Sequence, residues 1–210
     1  MVTYFLLFAI LLSALLFMKT DQKKETKLYL LFKPLTTILI IVFCFIQPSQ
    51  VSVFYKNLIL IGLFFSLIGD IFLMLPSDRF ISGLISFLIA HLFYISAFTG
   101  VSGWHLNWVY FIPVFLYTVF LLKAILPGAG SKRIPVIIYA TVLSVFLWQA
   151  VGRLDFSLSQ SAALAFSGAV LFVLSDSILA YTRFAKKFRF SQELKMITYW
   201  SAQVLIAASV

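Results

Sequence analysis

The sequence predicts an all-α protein that spans a membrane several times, and three observations support this. Of its 210 residues, 62% are hydrophobic and 11% are charged, whereas soluble domains carry about 25% charged residues. The mean hydropathy is +1.06. The apolar residues form runs close to the ~20 residues needed to cross a bilayer, and only short polar segments separate them.

Eight apolar runs follow one another, and we expect each to be a transmembrane helix of a single domain over residues 1–210. The first run has no basic residues before it and lysines after it, which is typical of a membrane helix and not of a signal peptide. The predicted helices occupy residues 2–18, 29–46, 56–75, 80–99, 107–126, 134–151, 160–181 and 195–210.

Turn-forming clusters separate the second to sixth runs. They are Gln47-Pro48-Ser49, Pro76-Ser77-Asp78, Gly100-Val101-Ser102-Gly103 and Pro127-Gly128-Ala129-Gly130. Every predicted loop is short, so we expect one compact bundle.

The distribution of basic residues predicts the orientation. Fourteen of the sixteen Lys and Arg residues fall in or beside the first, third, fifth and seventh loops, and only Lys56 and Arg153 fall in even loops. Basic loops remain cytoplasmic, so both termini are predicted to be non-cytoplasmic. The net charge of +9 therefore reflects topology, and we expect no nucleic-acid partner.

Two acidic residues lie inside apolar runs, Asp70 in LFFSLIGDIFLML (63–75) and Asp176 in VLFVLSDSILA (170–180). An ionisable group within a span indicates a functional site by default. The alternative is a structural ion pair, for example between Asp176 and Arg183, seven residues later on the same helical face. Both carboxylates follow a small residue and precede Leu by three positions, which looks like a duplicated helix end.

The predicted topology places both aspartates about 8 Å below the cytoplasmic surface. If their helices pack together, the carboxylates face one cavity. There, desolvation and the neighbouring charge should keep at least one of them protonated near neutral pH. A carboxylic acid in that state is a general acid, and a second carboxylate is available as the base.

Other polar residues enter the same half of the membrane. His91 shares a helical face with Tyr94 and is interpreted either as a catalytic group or as a hydrogen-bonded packing residue. Lys33, in KPLTT (33–37), either binds a phosphate or extends to the interface. Tyr139, Tyr199 and Gln203 either face the cavity or form ordinary hydrogen bonds between helices.

Several chemistries lack support in the sequence. There is no P-loop, GxSxG elbow, HExxH or dinucleotide fingerprint. The single cysteine, Cys44, excludes internal disulfides, and two histidines, His91 and His105, are too few for a zinc site without both aspartates. We therefore predict no metal and no cofactor.

Five motifs resemble the YhhN-type lysoplasmalogenases, a family of small integral membrane proteins. They are KPLTT (33–37), GDIFLML (69–75), GLISFLIAHLFYI (83–95), LFVLSDSILA (171–180) and YWSAQVLI (199–206). Together these motifs extend over the second to the eighth predicted helix, nearly the whole chain.

The resemblance implies an eight-helix enzyme that hydrolyses the vinyl ether bond of lysoplasmalogens to a fatty aldehyde and a glycerophospho head group. It implies a lysophospholipid substrate among membrane lipids, and we infer no obligate protein partner. The short chain without a targeting segment suggests a bacterial cytoplasmic membrane, and the basic loops predict a site that opens toward the cytoplasm. The residues that it marks are Asp70, Asp176 and His91 as catalytic, and Lys33, Tyr94, Tyr139, Tyr199 and Gln203 as substrate-binding.

The chemistry of the residues is compatible with that reaction. A vinyl ether hydrolyses by protonation of its double bond, which gives an oxocarbenium ion. Two carboxyl groups can supply the acid that protonates the double bond, the anion that stabilises the cation and the base that activates water, as they do in glycosidases. The sequence does not assign the acid to either aspartate. The alternatives are a transporter or channel that uses the carboxylates as a proton or ion site, or a receptor without catalysis.

Overall fold

The computed structural model describes residues 2–22, 26–75 and 77–210, and this part of the chain contains α-helices and no strand. The all-α prediction is therefore confirmed, and each predicted segment corresponds to one helix. The helices are α1 (Val2–Gln22), α2 (Thr26–Ile46), α3 (Val53–Met74), α4 (Phe80–Ser102), α5 (Trp108–Ile125), α6 (Arg133–Phe156), α7 (Gln160–Phe184) and α8 (Ser191–Ala208). Lys23, Lys24 and Pro76, on which the loop predictions drew, lie outside the described residues.

Six of the described helices, α1 and α3 to α7, are long and apolar enough to cross a membrane. The apolar part of α2 is shorter, Leu30–Ile46, and α8 carries Gln192, Glu193 and Lys195 in its first turns. Eight membrane spans and the placement of both termini therefore stay predictions. These two helices, α2 and α8, are also the ones that bring Lys33 and Tyr199 into the interior.

Several predicted boundaries shift by three to five residues, and two of the shifts change the description of a loop. The expected turn at Gly100–Gly103 is helical through Ser102, and α4 ends at Gly103, which has a φ of 75°. Of the two glycines in this turn, Gly100 and Gly103, only Gly103 has a positive φ, which glycine adopts without steric cost and which ends the helix. In addition, α6 continues past residue 151 to Phe156 and includes Arg153. Arg153 was expected in a loop but is only 2% exposed.

Most helices pack against the helix that precedes or follows them in the chain, and the last helix packs back against earlier ones to close the bundle. The closest pairs are α3 with α4, α7 with α8 and α1 with α2, and α4 also packs against α6. Helix α8 returns to contact α2 and α3, while α5 lies outside, against α6 and α7. The polar faces of α2, α3, α7 and α8 therefore meet inside the bundle.

The end of the bundle near the C-terminus is held by a hydrogen-bonded network around Arg153. Its guanidinium donates to the Tyr55 hydroxyl at 2.7 Å and to Ser161 Oγ at 2.7 Å, and it lies over the Tyr55 ring. Ser209, next to the last residue, bonds the Tyr55 hydroxyl at 2.7 Å. The network joins α3, α6, α7 and the end of α8 far along the helices from both aspartates.

Candidate active site

A cavity of about 400 Å³ opens at the end of the bundle where α3 turns into α4 and α7 into α8. Asp70, Asp176, Lys33 and Tyr199 all contribute to its lining. The structure therefore brings the two intramembrane aspartates to one hollow, from α3 and α7. The two aspartates are 1% and 7% exposed, respectively.

Asp70 is surrounded by hydrogen-bond donors and a cation. Oδ2 accepts hydrogen bonds from Thr37 Oγ1 and from the Tyr199 hydroxyl, both at 2.8 Å. Lys33 Nζ lies 3.0 Å from Oδ1. That contact is an ion pair and not a directed hydrogen bond, because Oδ1 has no hydrogen-bond donor in suitable geometry among the described residues. Donors and a positive charge stabilise the carboxylate form.

Asp176 occupies a different environment. Its Oδ2 accepts a short hydrogen bond from the Tyr139 hydroxyl, which α6 supplies. Asp176 and Tyr139 also border an apolar pocket with Leu143, Leu179 and Phe184, while Asp176 shares the cavity lining with Lys195. One carboxyl group thus faces a lysine and two hydroxyls, and the other faces a tyrosine and hydrocarbon.

Small residues beside the aspartates allow this close packing. A Cβ atom at Gly69 would lie 2.7 Å from the Phe87 ring, so α4 can approach α3 directly beside Asp70. At the equivalent position of α7, Ser175 donates to the backbone carbonyl of Lys195 at 3.0 Å and ties α7 to α8. The small residue before each carboxylate, noted in the sequence, has a packing role in both helices.

His91 lies behind the cavity and is fully buried. Its Nδ1 is 2.7 Å from the Phe87 carbonyl, and since a carbonyl only accepts, Nδ1 carries the hydrogen. Its ring packs against Phe146, Phe172 and Tyr139, with centroid distances of 4.9, 4.6 and 5.7 Å. His91 does not line the cavity. Its ring contacts Tyr139, whose hydroxyl donates to Asp176.

Three further residues of the sequence prediction also lie outside the cavity lining, and of these Tyr139 contacts the site through its hydrogen bond to Asp176. The Tyr94 hydroxyl is 3.4 Å from Ser66 Oγ, in a fully buried position. Gln203 is fully buried one turn after Tyr199, and neither of its amide atoms has a hydrogen-bond partner among the described residues.

The rim of the cavity carries charged residues from the α3–α4 loop, the segment between α5 and α6, and the facing ends of α7 and α8. Asp78 accepts hydrogen bonds from Lys132 Nζ at 2.9 Å and from Arg183 at 2.7 Å. The hydrogen bond from Lys132, with the nearby charge of Arg183, lowers the pKa of Asp78 below its ordinary value. Arg183 therefore pairs with Asp78, and the ion pair between Arg183 and Asp176 that the sequence left open was wrong. Arg79 and Lys195 complete the basic lining.

Sequence reasoning missed Thr37 and Arg183 as parts of the site. Thr37 belongs to the quoted motif KPLTT and follows Lys33 by four residues, so the two share a helical face. That spacing was a usable signal. Arg183 became a cavity residue only because α7 continues to Phe184.

The model of the YhhN family matches residues 28–210. The chain belongs to the YhhN family. The match starts after α1 and includes every residue of the cavity lining. As a member of this family with several apolar helices, the chain is a multi-pass membrane protein.

Other members of the YhhN family resemble the chain over most of its length. The uncharacterized membrane protein YhhN of Escherichia coli O157:H7 is 28% identical over 203 residues, 96% of each chain. The lysoplasmalogenase TMEM86A of Homo sapiens is 32% identical over 80% of this chain and 68% of its own length. The lysoplasmalogenase TMEM86B of Rattus norvegicus is 34% identical over 69% of this chain and 57% of its own length. No solved structure matches the chain.

Proposed function

We propose that this protein is a lysoplasmalogenase, which hydrolyses the vinyl ether bond of a single-chain phospholipid to a fatty aldehyde and a glycerophospho head group. The observation that carries the proposal is the pair of buried carboxyl groups, Asp70 and Asp176, on one cavity in contrasting environments. The names of the mammalian relatives agree with it.

The environments suggest how the two groups divide the reaction. Lys33, Thr37 and Tyr199 hold Asp70 as a carboxylate, which suits the anion that stabilises an oxocarbenium ion. Asp176 borders hydrocarbon and receives a single hydroxyl from Tyr139 at Oδ2. Its neutral form is favoured there, so Asp176 is assigned as the general acid with the proton on Oδ1.

The reaction balances with these two groups alone. Asp176 gives its proton to the outer carbon of the double bond, and the carbon next to oxygen becomes an oxocarbenium ion facing Asp70. Water adds to that carbon and loses a proton to Asp70, which forms a hemiacetal. The hemiacetal hydroxyl then returns a proton to Asp176 as the carbon–oxygen bond breaks. The leaving glycerol oxygen takes the proton from Asp70, so both groups are restored.

The head group is assigned to the rim. Lys33 is buried in its pair with Asp70, so the phosphate is better matched by Arg79 and by Arg183, which gives only Nη2 to Asp78 and is exposed at the open end of the cavity. Guanidinium groups bind phosphate oxygens in a bidentate manner. With basic loops on the cytoplasmic side, the cavity of a bacterial protein would open to the cytoplasmic face of the inner membrane.

The residues behind the cavity are assigned as positioning residues. The His91 ring packs against Tyr139 and its Nδ1–H donates to the carbonyl of Phe87, which itself lines the cavity. Tyr94 and Gln203 are also buried and do not line the cavity. Their substitution should affect the cavity through packing.

The first experiment assays purified protein in detergent with an alkenyl lysophosphoethanolamine and measures aldehyde release. Asp70→Asn and Asp176→Asn should each remove turnover, and Asp155→Asn, at the other end of the bundle, is the matched control. The ester-linked acyl analogue should not be cleaved. Full activity of either cavity variant would refute the assignment.

A second experiment tests the protonation step itself. In D₂O, one deuterium should appear on the carbon next to the aldehyde group when the aldehyde is reduced as it forms. The transporter alternative predicts a different outcome. Detergent-solubilised protein would then release no aldehyde, and sealed vesicles would show lipid-dependent proton uptake that requires Asp70. The unbroken helices α3 and α7 that carry the aspartates favour the enzyme, because transporters commonly interrupt such helices.

A further inference from the structure

We propose that the hydrocarbon chain of the substrate lies in a crevice that starts at Asp176 and runs between α5, α6 and α7 toward the centre of the membrane. The inference rests on the proposed function and deepens it by placing the chain. We call this the tail crevice and define it by Leu121 and Ile125 on α5, Ala140, Leu143 and Leu147 on α6, and Val173 on α7.

The tail crevice is continuous with the cavity. An apolar pocket that contains Leu121, Ala140 and Leu143 shares Phe80, Asp176 and Leu179 with the cavity lining. A deeper pocket, which reaches Leu147 and Val173, contains the same Leu121, Ala140 and Leu143. The two pockets enclose only about 30 and 10 Å³, so this apolar row of residues is nearly closed here, and a chain would have to part α5 from α6 and α7 to enter it.

The reaction requires a path that starts at the acid. The carbon that receives the proton belongs to the hydrocarbon chain, so the rest of the chain must leave from a point beside Asp176. The glycerophospho group leaves in the opposite direction, toward Arg79 and Arg183 at the rim. A basic end and an apolar end on either side of the aspartates thus fix the orientation of the lipid.

The polar groups in the walls of the tail crevice satisfy one another. Thr118 Oγ1 is 2.6 Å from Ser144 Oγ, and the Tyr117 hydroxyl donates to Ser177 Oγ at 2.7 Å. Ser144 and Ser177 in turn donate to backbone carbonyls of their own helices. Because these hydroxyls are paired, the walls present hydrocarbon to a chain.

The length and direction of the tail crevice also fit. From Tyr139, at the level of Asp176, to Leu147 is eight residues of α6, or about 12 Å. Half of a bilayer core measures about 15 Å. With the aspartates about 8 Å below the surface, a chain in the crevice would end about 20 Å down, slightly past the membrane centre.

A second apolar groove, between α1 and α8, is the main rival. It encloses about 370 Å³ and is lined by Leu7, Ile10, Trp200 and Val204 among others, but none of its residues lines the cavity. A chain in that groove would have no continuous contact with Asp176. The tail crevice is therefore the better site.

The first test changes the width of the tail crevice and measures KM for long-chain and short-chain alkenyl lysophosphoethanolamines. Ala140→Leu adds a branched side chain to the crevice and should raise KM about tenfold for the long chain, with little change for the short one. Leu121→Ala should widen the crevice and shift preference toward bulkier chains. Ala163→Leu, on an exposed face of α7, is the matched control.

The second test does not require turnover and also covers poor folding of Ala140→Leu. A lysophosphoethanolamine with a saturated ether chain and a diazirine at mid-chain is photolysed with the wild-type protein, and labelled peptides are identified. Labels on residues 114–125 or 136–147 are expected, and labels confined to α1 and α8 would overturn the proposal. Equal KM changes for both chain lengths would also overturn it.

These outcomes separate the two proposals. Labelling of the tail crevice without aldehyde release would leave the lipid site standing and remove the proposed reaction. Aldehyde release with labels outside the tail crevice would do the reverse.

Discussion

Lys33 on α2 lies 3.0 Å from Asp70 on α3, and the two side chains are 7% and 1% exposed. The pair links two helices and places a basic side chain beside one of the two cavity carboxyl groups. Lys33 is thereby withdrawn from the membrane surface, where a lysine of its position would ordinarily extend.

Removal of Lys33 should damage both stability and turnover. Lys33→Met leaves a buried carboxylate without its cation, which typically costs about 3–5 kcal/mol, so we expect a lower melting temperature in detergent and little activity. The double variant Lys33→Met/Asp70→Leu removes both charges and should regain most of the stability without regaining turnover. Activity in the double variant would contradict the role of Asp70.

The tyrosines that contact the aspartates should matter unequally. Tyr199→Phe removes one of two hydrogen bonds to Asp70 Oδ2, and Thr37 and Lys33 remain, so kcat should fall by about tenfold. Tyr139→Phe removes the hydroxyl that orients Asp176, and we expect a loss of about a hundredfold, with KM nearly unchanged. Tyr110→Phe, whose hydroxyl bonds the exposed Asp155, is the control.

The rim ion pairs of Asp78 should persist through the physiological pH range. The hydrogen bond from Lys132 makes the pKa of Asp78 lower in the folded protein than its ordinary value of 3.8. The contribution of these ion pairs to the free energy of unfolding is therefore fully present above the ordinary pKa of Asp78. It is lost as the pH falls through the lowered pKa of the folded protein.

The corresponding measurement compares thermal stability of the wild type and Asp78→Asn across pH. The difference should be constant between about pH 5 and 8 and should vanish in acid below the folded pKa of Asp78. A difference that changes near neutral pH would show that another group controls the rim.

Arg153 should be a stability residue without a catalytic role. Arg153→Met leaves the Tyr55 and Ser161 hydroxyls without their donor and should lower the free energy of unfolding by about 1.5–3 kcal/mol. Below the melting temperature, kcat should equal that of the wild type. A large loss of kcat in folded protein would mean that this network reaches the cavity.

A replacement of Gly69 should test the packing beside Asp70. Gly69→Val would drive its side chain into the Phe87 ring, because even a Cβ would lie 2.7 Å away. We expect reduced stability and a loss of turnover. A smaller side chain at position 87, in the double variant Gly69→Val/Phe87→Leu, should partly restore both. Absence of rescue would indicate that Phe87 cannot adjust.

Much of this site was accessible from the sequence because charge in hydrocarbon is costly. Asp70, Asp176 and Lys33 stood out against apolar neighbours, and the structure places all three on one cavity. His91 stood out for the same reason but lies behind Tyr139, since helical spacing gives a face and not a depth of packing. Arg153 was assigned to a loop because the predicted helix ended at residue 151, and its burial depends chiefly on Tyr55, which is 98 residues away in the chain.

The sequence by itself determined the helices, their order and the presence of acids within them, since apolar runs and turn residues act locally along the chain. Only the tertiary structure decided which donor meets which carboxylate. Lys33, Thr37 and Tyr199 come to Asp70 from α2 and α8, and Tyr139 comes to Asp176 from α6. Such partners depend on how the helices rotate and pack against one another, and no pattern within a single helix encodes that.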